Sequence, residues 1–124
     1  MIKNLLLVGL GGGLGSIARY VTTNLSQKYL SPFLPYGTLI ANILGSLLIG
    51  VFLAHLIENP SQNFKLLLVT GFCGGFTTFS TFSYENFNYL QNGQIGMFLL
   101  YGIGSIAIGL IAVFVGFSLT KLIA

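Results

Sequence analysis

Four apolar stretches, each long enough to cross a lipid bilayer, constrain this chain more than any other feature of it. A helical crossing takes roughly 20 mainly apolar residues, and four such segments fit, over Lys3–Leu25, Gly37–Ile57, Lys65–Leu90 and Ile95–Ile123. What joins them is short and polar: SQKYLSPFLPY, ENPSQNF and QNGQ. Among 124 residues five are basic and two acidic, 6% charged in all, whereas soluble domains carry about 25%. The pattern predicts an all-α membrane protein: one four-helix transmembrane domain over residues 1–124, multi-pass and solvated by the lipid bilayer, with no room for a soluble domain. Its activity then lies within the bilayer.

The same sparseness excludes several function classes. Basic residues are too few and too scattered for a nucleic-acid footprint, which needs them clustered on one face. GLGGGLGS at Gly9–Ser16 has the glycines of a dinucleotide loop, but it lies inside an apolar helix with no acidic residue before Glu58. That motif needs a preceding strand and an acid about 20 positions on. One histidine, one cysteine and two distant acids make neither a transition-metal cluster nor a nucleophile with its base, so an enzyme is not expected. His55 reads as an interfacial side chain and Cys73 as a small buried hydrophobe. The first segment runs past signal-peptide length without a clean small-x-small cleavage site, and reads as a retained helix.

Four crossings place both termini on one side, together with the second connection. Lys3, Lys65 and Lys121 then oppose Arg19 and Lys28, almost no bias under the positive-inside rule. Such a chain can insert both ways, and two opposed copies can build a symmetric pathway across an antiparallel twofold axis. Four packed helices are too few to enclose a water-filled hole in one copy, so a dimer or higher oligomer is expected. Small residues four apart (Gly9 and Gly13, Gly11 and Gly15, Ala41 and Gly45, Ala112 and Gly116) invite close helix contact, within a subunit or between two.

The third segment does not read as an ordinary membrane helix. Gly71, Gly74 and Gly75 weaken it, and Thr70, Thr77, Thr78, Ser80, Thr81 and Ser83 bring hydroxyls able to bond freed backbone groups. A break near Gly74–Thr78 is expected, at a depth where irregular backbone survives only if buried in protein or lining a site. It would leave loose carbonyls and half-helix ends with partial charge. At helical spacing Phe76, Phe79 and Phe82 form one stripe, with the hydroxyls beside it. Polar residues recur every fourth position at Thr38, Asn42 and Ser46, and again at Tyr101 and Ser105. An amide at mid-membrane is costly unless partnered, so Asn42 is either interhelical glue or part of a site. Arg19 and Glu85 fall about one to two turns from their helix ends, toward the same side, leaving no formal charge at mid-depth. Hydroxyls, amides and the positive edges of phenyl rings together suit a small anion that exchanges its hydration shell stepwise.

GFCGGFTTFSTFS at Gly71–Ser83 closely resembles the signature of the small fluoride channels, the Fluc (CrcB) family. GTLIANILGS (Gly37–Ser46) and GGGLGSIARY (Gly11–Tyr20) are similar to its second-helix and first-helix blocks. The resemblance covers essentially the whole chain, with Phe76 standing where leucine is commoner. It implies an antiparallel, dual-topology homodimer with two pores, through which fluoride leaves the cytoplasm passively across a bacterial cell membrane. It also implies a structural sodium ion at the dimer centre, held by backbone carbonyls of Gly74 and Thr77 from both copies. The rings whose edges face fluoride correspond to Phe79 and Phe82, and the pore-lining amide to Asn42. Ser80, Thr81 and Ser105 match the hydroxyl track, with Tyr101 adjoining it and Thr38 placed beside Asn42. Arg19 matches a basic residue near the vestibule, and Glu85 an acidic one near the other pore end. Two other readings suit a small four-helix chain. A proton-coupled multidrug antiporter needs a titratable acid within the membrane, which the first segment lacks. A non-transporting helical subunit leaves the polar stripes and the glycine break without a purpose.

Overall fold

A computed structural model of the chain, described over residues 1–123, is all-helical, with four spans long and apolar enough to cross a membrane. α1 (Ile2–Tyr29), α2 (Tyr36–Glu58) and α6 (Ile95–Ile123) are continuous. The span between α2 and α6 is composite: α3 (Gln62–Phe64), a π-helical stretch Lys65–Cys73, α4 (Gly74–Phe76) and α5 (Phe79–Gln91). α1 outruns its apolar core by a polar turn. Ser26 is buried there, and its carbonyl accepts the Leu30 N–H that closes the helix. α5 ends in a left-handed glycine, Gly93 at φ 72°. Gly93 N–H donates to Leu90 O and Gln94 N–H to Tyr89 O, which satisfies the last carbonyls and turns the chain into α6.

Within the composite span the helix stops at Phe76. Thr77 (φ −87°, ψ 158°) and Thr78 (φ −146°, ψ 121°) have extended backbone. α5 then starts afresh, with the Thr78 hydroxyl accepting the Thr81 N–H at 3.2 Å, the usual service of an N-cap threonine. Two extended residues reset the helical phase, and the three-ring stripe expected from spacing does not form. Phe76 is 5% exposed and stacks on Phe72 at 5.7 Å, whereas Phe79 is 78% exposed. Only Phe79 and Phe82 remain together, with ring centroids 6.1 Å apart.

Small residues decide which helices touch. A Cβ on Gly11 would overlap the Leu67 carbonyl oxygen, one on Gly15 the Phe72 carbonyl, and one on Gly75 the Gly12 carbonyl. α1 therefore lies backbone against backbone on the first half of the composite span. α2 and α6 pair in the same way: Gly50 faces the Val113 carbonyl and Gly116 the Leu47 carbonyl, while Gly45 meets the Thr77 methyl. Gly9 and Gly13, the remaining pair, have nothing within 4 Å. At the far end of α2, Lys121 pairs with Glu58 at 3.0 Å, an exposed contact worth at most about 1 kcal/mol. Asn86 is the one buried residue of α5.

The α1 crossing leaves no space for a single methyl group. Gly15→Ala is expected to cost about 3 kcal/mol, since overpacking against backbone cannot relax by a rotamer change. Thermal unfolding followed by gel filtration in detergent measures the loss. Gly96→Ala, with nothing within 4 Å, serves as the unaffected control.

Candidate functional site

The interruption at Thr77–Thr78 is closed by side chains from neighbouring helices. In an unbroken helix the Thr78 N–H would bond Gly74 O and the Phe79 N–H would bond Gly75 O. Instead the Thr78 N–H donates to Asn42 Oδ1 at 2.8 Å, and Asn42 Nδ2 donates back to Thr78 O at 3.1 Å. Arg19 Nε donates to Gly75 O at 3.0 Å. The Thr77 hydroxyl donates to Cys73 O at 2.9 Å. The Thr78 hydroxyl donates to Thr81 Oγ1 at 3.1 Å and lies 3.4 Å from Ser80 Oγ. One hydroxyl thus caps α5 and gathers the two track residues.

Two expectations change here. Arg19 lies ten residues before the end of α1 at Tyr29, about 15 Å along the axis, and its guanidinium reaches a carbonyl near the midpoint of the Gln62–Gln91 span. Mid-depth is not free of formal charge, because α1 continues past Leu25 and carries Arg19 deeper than its apolar stretch suggested. Asn42, for its part, is glue and groove wall together. Its carbonyl and one N–H are committed to Thr78, which leaves the second N–H available.

Two cavities lie in this half of the protein, one of them against the clamp. A groove of about 380 Å³ is lined by Asn42, Ser46, Thr78, Phe79, Phe82 and Ser105. The Ser105 hydroxyl is buried without a hydrogen-bond partner. A second cavity, of about 430 Å³, opens where α1 and α5 end and α2 begins, with Ser26, Thr38, Glu85, Asn88 and Tyr89 in its wall. Glu85 is held by both carboxylate oxygens: the Thr38 hydroxyl donates at 2.9 Å and the Tyr101 hydroxyl at 2.8 Å. The Tyr101 ring packs on Phe82 at 5.2 Å, so Tyr101, which lines neither cavity, links Glu85 in the wall of this vestibule to Phe82 in the wall of the groove. Ser80 and Thr81 line neither cavity and sit beside the interruption.

Among the described residues no three His, Cys, Asp or Glu side chains converge to hold a metal. What the site can offer a cation is backbone. Gly74 is exposed, with nothing within 4 Å of the place a Cβ would take, and the Thr78 N–H that would have covered its carbonyl is bound to Asn42. Neutral oxygens of this kind fit a hard cation such as sodium. Thr78 is the residue that sequence reasoning undervalued. A threonine three positions after the glycine pair and three before Thr81, at the start of a new helical run, is an N-cap signature, which could have located it. Asn86, also missed, carried no such signal.

The chain matches the model of the family described as CrcB-like protein, Camphor Resistance (CrcB), over residues 6–117. It is 44% identical over 122 residues to a Flavobacterium psychrophilum protein, covering 97% of this chain and 98% of that one. Identity is 48% over 118 residues to a Gloeothece citriformis protein, with coverage of 94% and 96%. It is 47% over 121 residues to one from Leptospira interrogans, with coverage of 96% and 95%. All three carry the name fluoride-specific ion channel FluC.

Replacing Asn42 by leucine removes both partners of the Thr78 backbone. Two unpaired groups at about 1–3 kcal/mol each are expected to lower the unfolding temperature markedly. Hydrogen exchange at the Thr78 amide, measured by NMR in detergent, is expected to accelerate together with that loss.

Proposed function

The chain belongs to the CrcB-like family, and on that premise we propose that it is a fluoride-selective channel, letting fluoride leave the cell passively and so lowering its cytoplasmic concentration. It is a multi-pass membrane protein and not an enzyme. The observation that carries the reading is the groove beside the interruption. There a buried hydroxyl without a partner, Ser105, faces the same space as Phe79, Phe82 and Asn42. An unpaired donor in apolar surroundings is costly, and fluoride is a small, strong acceptor. Uncharged donors and ring edges can replace part of its water without trapping it, and fast conduction needs binding that weak.

The working unit we infer is an antiparallel homodimer with two such pathways. Phe79, 78% exposed on one protomer, and its neighbour Ser80 are better matched to a second copy than to acyl chains. The extended Thr77–Thr78 backbone is then the functional break of the third span. Gly74 and Thr77 carbonyls from both copies would hold a sodium ion at the centre, where its charge offsets the dielectric barrier an anion meets. Arg19, bonded to Gly75 O, adds positive charge at the same depth. Phe79 and Phe82 flank the pathway, with Asn42, Ser105, Ser80, Thr81 and Tyr101 along it and Thr38 at its vestibule end with Glu85.

Glu85, between two hydroxyls, is the feature that favours a second reading, proton-coupled transport. One reconstitution separates the two. Proteoliposomes are expected to release fluoride, read with an electrode, but not chloride, and an imposed proton gradient is expected to drive no uphill fluoride movement. Uphill movement makes the protein a carrier. Phe79→Ile and Phe82→Ile keep apolar bulk and lose the ring edge; both are expected to abolish efflux while still purifying as dimers. Undiminished flux in either removes that ring from the pathway.

A further inference from the structure

α5 carries Phe79 and Phe82, and Glu85 fastens it to α2 and α6 through the Thr38 and Tyr101 hydroxyls. It is not a continuation of α4, because two extended residues intervene. Phe79, Ser80, Ser83, Tyr84, Phe87 and Leu90 are exposed on the protomer. Its single buried side chain is the polar Asn86, 7% exposed. Asn86 Nδ2 donates to the Phe82 carbonyl at 2.9 Å, one turn below. Its Oδ1 is buried without a partner and lies 3.3 Å from where a Cβ on Gly102 would stand. Gly102 follows Tyr101, whose ring packs on Phe82 and whose hydroxyl holds Glu85. The amide thus faces α6 at Gly102, in a notch flanked by a cavity that Phe98, Leu99, Ile103 and Ile106 of α6 also line.

We propose that Asn86, seated in the Gly102 notch, is a positioning residue that sets the depth and rotation of the Phe82 ring. Residues four apart on a helix lie one above the other, so a shift of the amide against α6 moves the Phe82 ring directly. The bond to the Phe82 carbonyl ties the same two positions through the backbone. An apolar residue at position 86 could bury as much surface but would loosen that tie. Leucine would also collide with α6 at the place where glycine admits a flat amide edge. Asn86 touches neither the groove beside Ser105 nor the vestibule; it lines a third cavity, of about 460 Å³, and acts on conduction through the Phe82 ring that borders both this cavity and the groove.

This inference rests on the channel reading, and one experiment on purified dimers in proteoliposomes keeps the two apart. Wild-type protein that releases no fluoride refutes the channel reading itself. With wild-type flux established, Asn86→Ala and Gly102→Val are each expected to slow fluoride efflux about tenfold, the cost of roughly 1.4 kcal/mol in a barrier. Each should also shift the reversal potential in opposed fluoride and chloride gradients, a change that lost stability alone does not produce. The double variant Asn86→Ala/Gly102→Val puts the valine methyls where the amide was. Recovery of efflux to within about threefold of wild type, well short of that tenfold loss, is the expected outcome. Wild-type efflux and reversal potential in Asn86→Ala, or a double variant no faster than the slower single one, overturns the proposal. Should Asn86→Ala fail to yield dimer, the reversal potential of Gly102→Val decides alone, and a wild-type value overturns it.

Discussion

In hydrocarbon a backbone N–H or C=O that lacks a partner costs several kcal/mol, and the rest of this structure depends on how that requirement is met at Thr77 and Thr78. The helix stops there, and side chains from two other helices take over its hydrogen bonds. Asn42 reaches from α2 to both backbone groups of Thr78, and Arg19 reaches from α1 to Gly75. Without those two residues the extended segment would have to rewind into helix. Phe79 would then return to the phase of Phe76, against the buried face.

The site's chemistry follows from that exchange. Once side chains satisfy the interrupted backbone, some groups are released and others become fixed. Gly74 O is released; Thr78, Ser80 and Thr81 are gathered around one hydroxyl. Glu85 is fixed apart from this, each of its carboxylate oxygens accepting one hydroxyl, from Thr38 and from Tyr101. The groove itself keeps neutral donors and ring edges. Glu85 stands in the wall of one cavity, the groove lined by Asn42 and Ser105 holds no charged side chain, and the Arg19 guanidinium lies at Gly75.

Much of the architecture was legible because the bilayer imposes a length on apolar runs, and α6 falls on Ile95–Ile123 as its hydropathy indicated. α1 was read short because Ser26–Tyr29 is polar, although Ser26 is buried against the start of α2. That error placed Arg19 too near the surface. The phenylalanine stripe failed for a different reason: periodicity assumes an unbroken phase, and the residues that interrupt it, Thr77 and Thr78, lie inside the window being read. Asn42 was recognised as an expensive amide, yet its bidentate hold on Thr78 depends on how α2 faces the composite span, which one sequence does not encode locally. Asn86 lay beyond reach altogether, since its significance comes from a glycine sixteen positions later on another helix.

The glycine crossings have a kinetic consequence. Where α1 touches the composite span, and again where α2 touches α6, carbonyl oxygens occupy the space a methyl would need. Helices that meet through bare backbone cannot ratchet past one another without first separating. Sliding of one helix past another, a rearrangement that runs over microseconds to milliseconds, is therefore disfavoured at these two crossings. Rotation of exposed side chains such as Phe79 and Ser80, which runs over picoseconds to nanoseconds, needs no such separation.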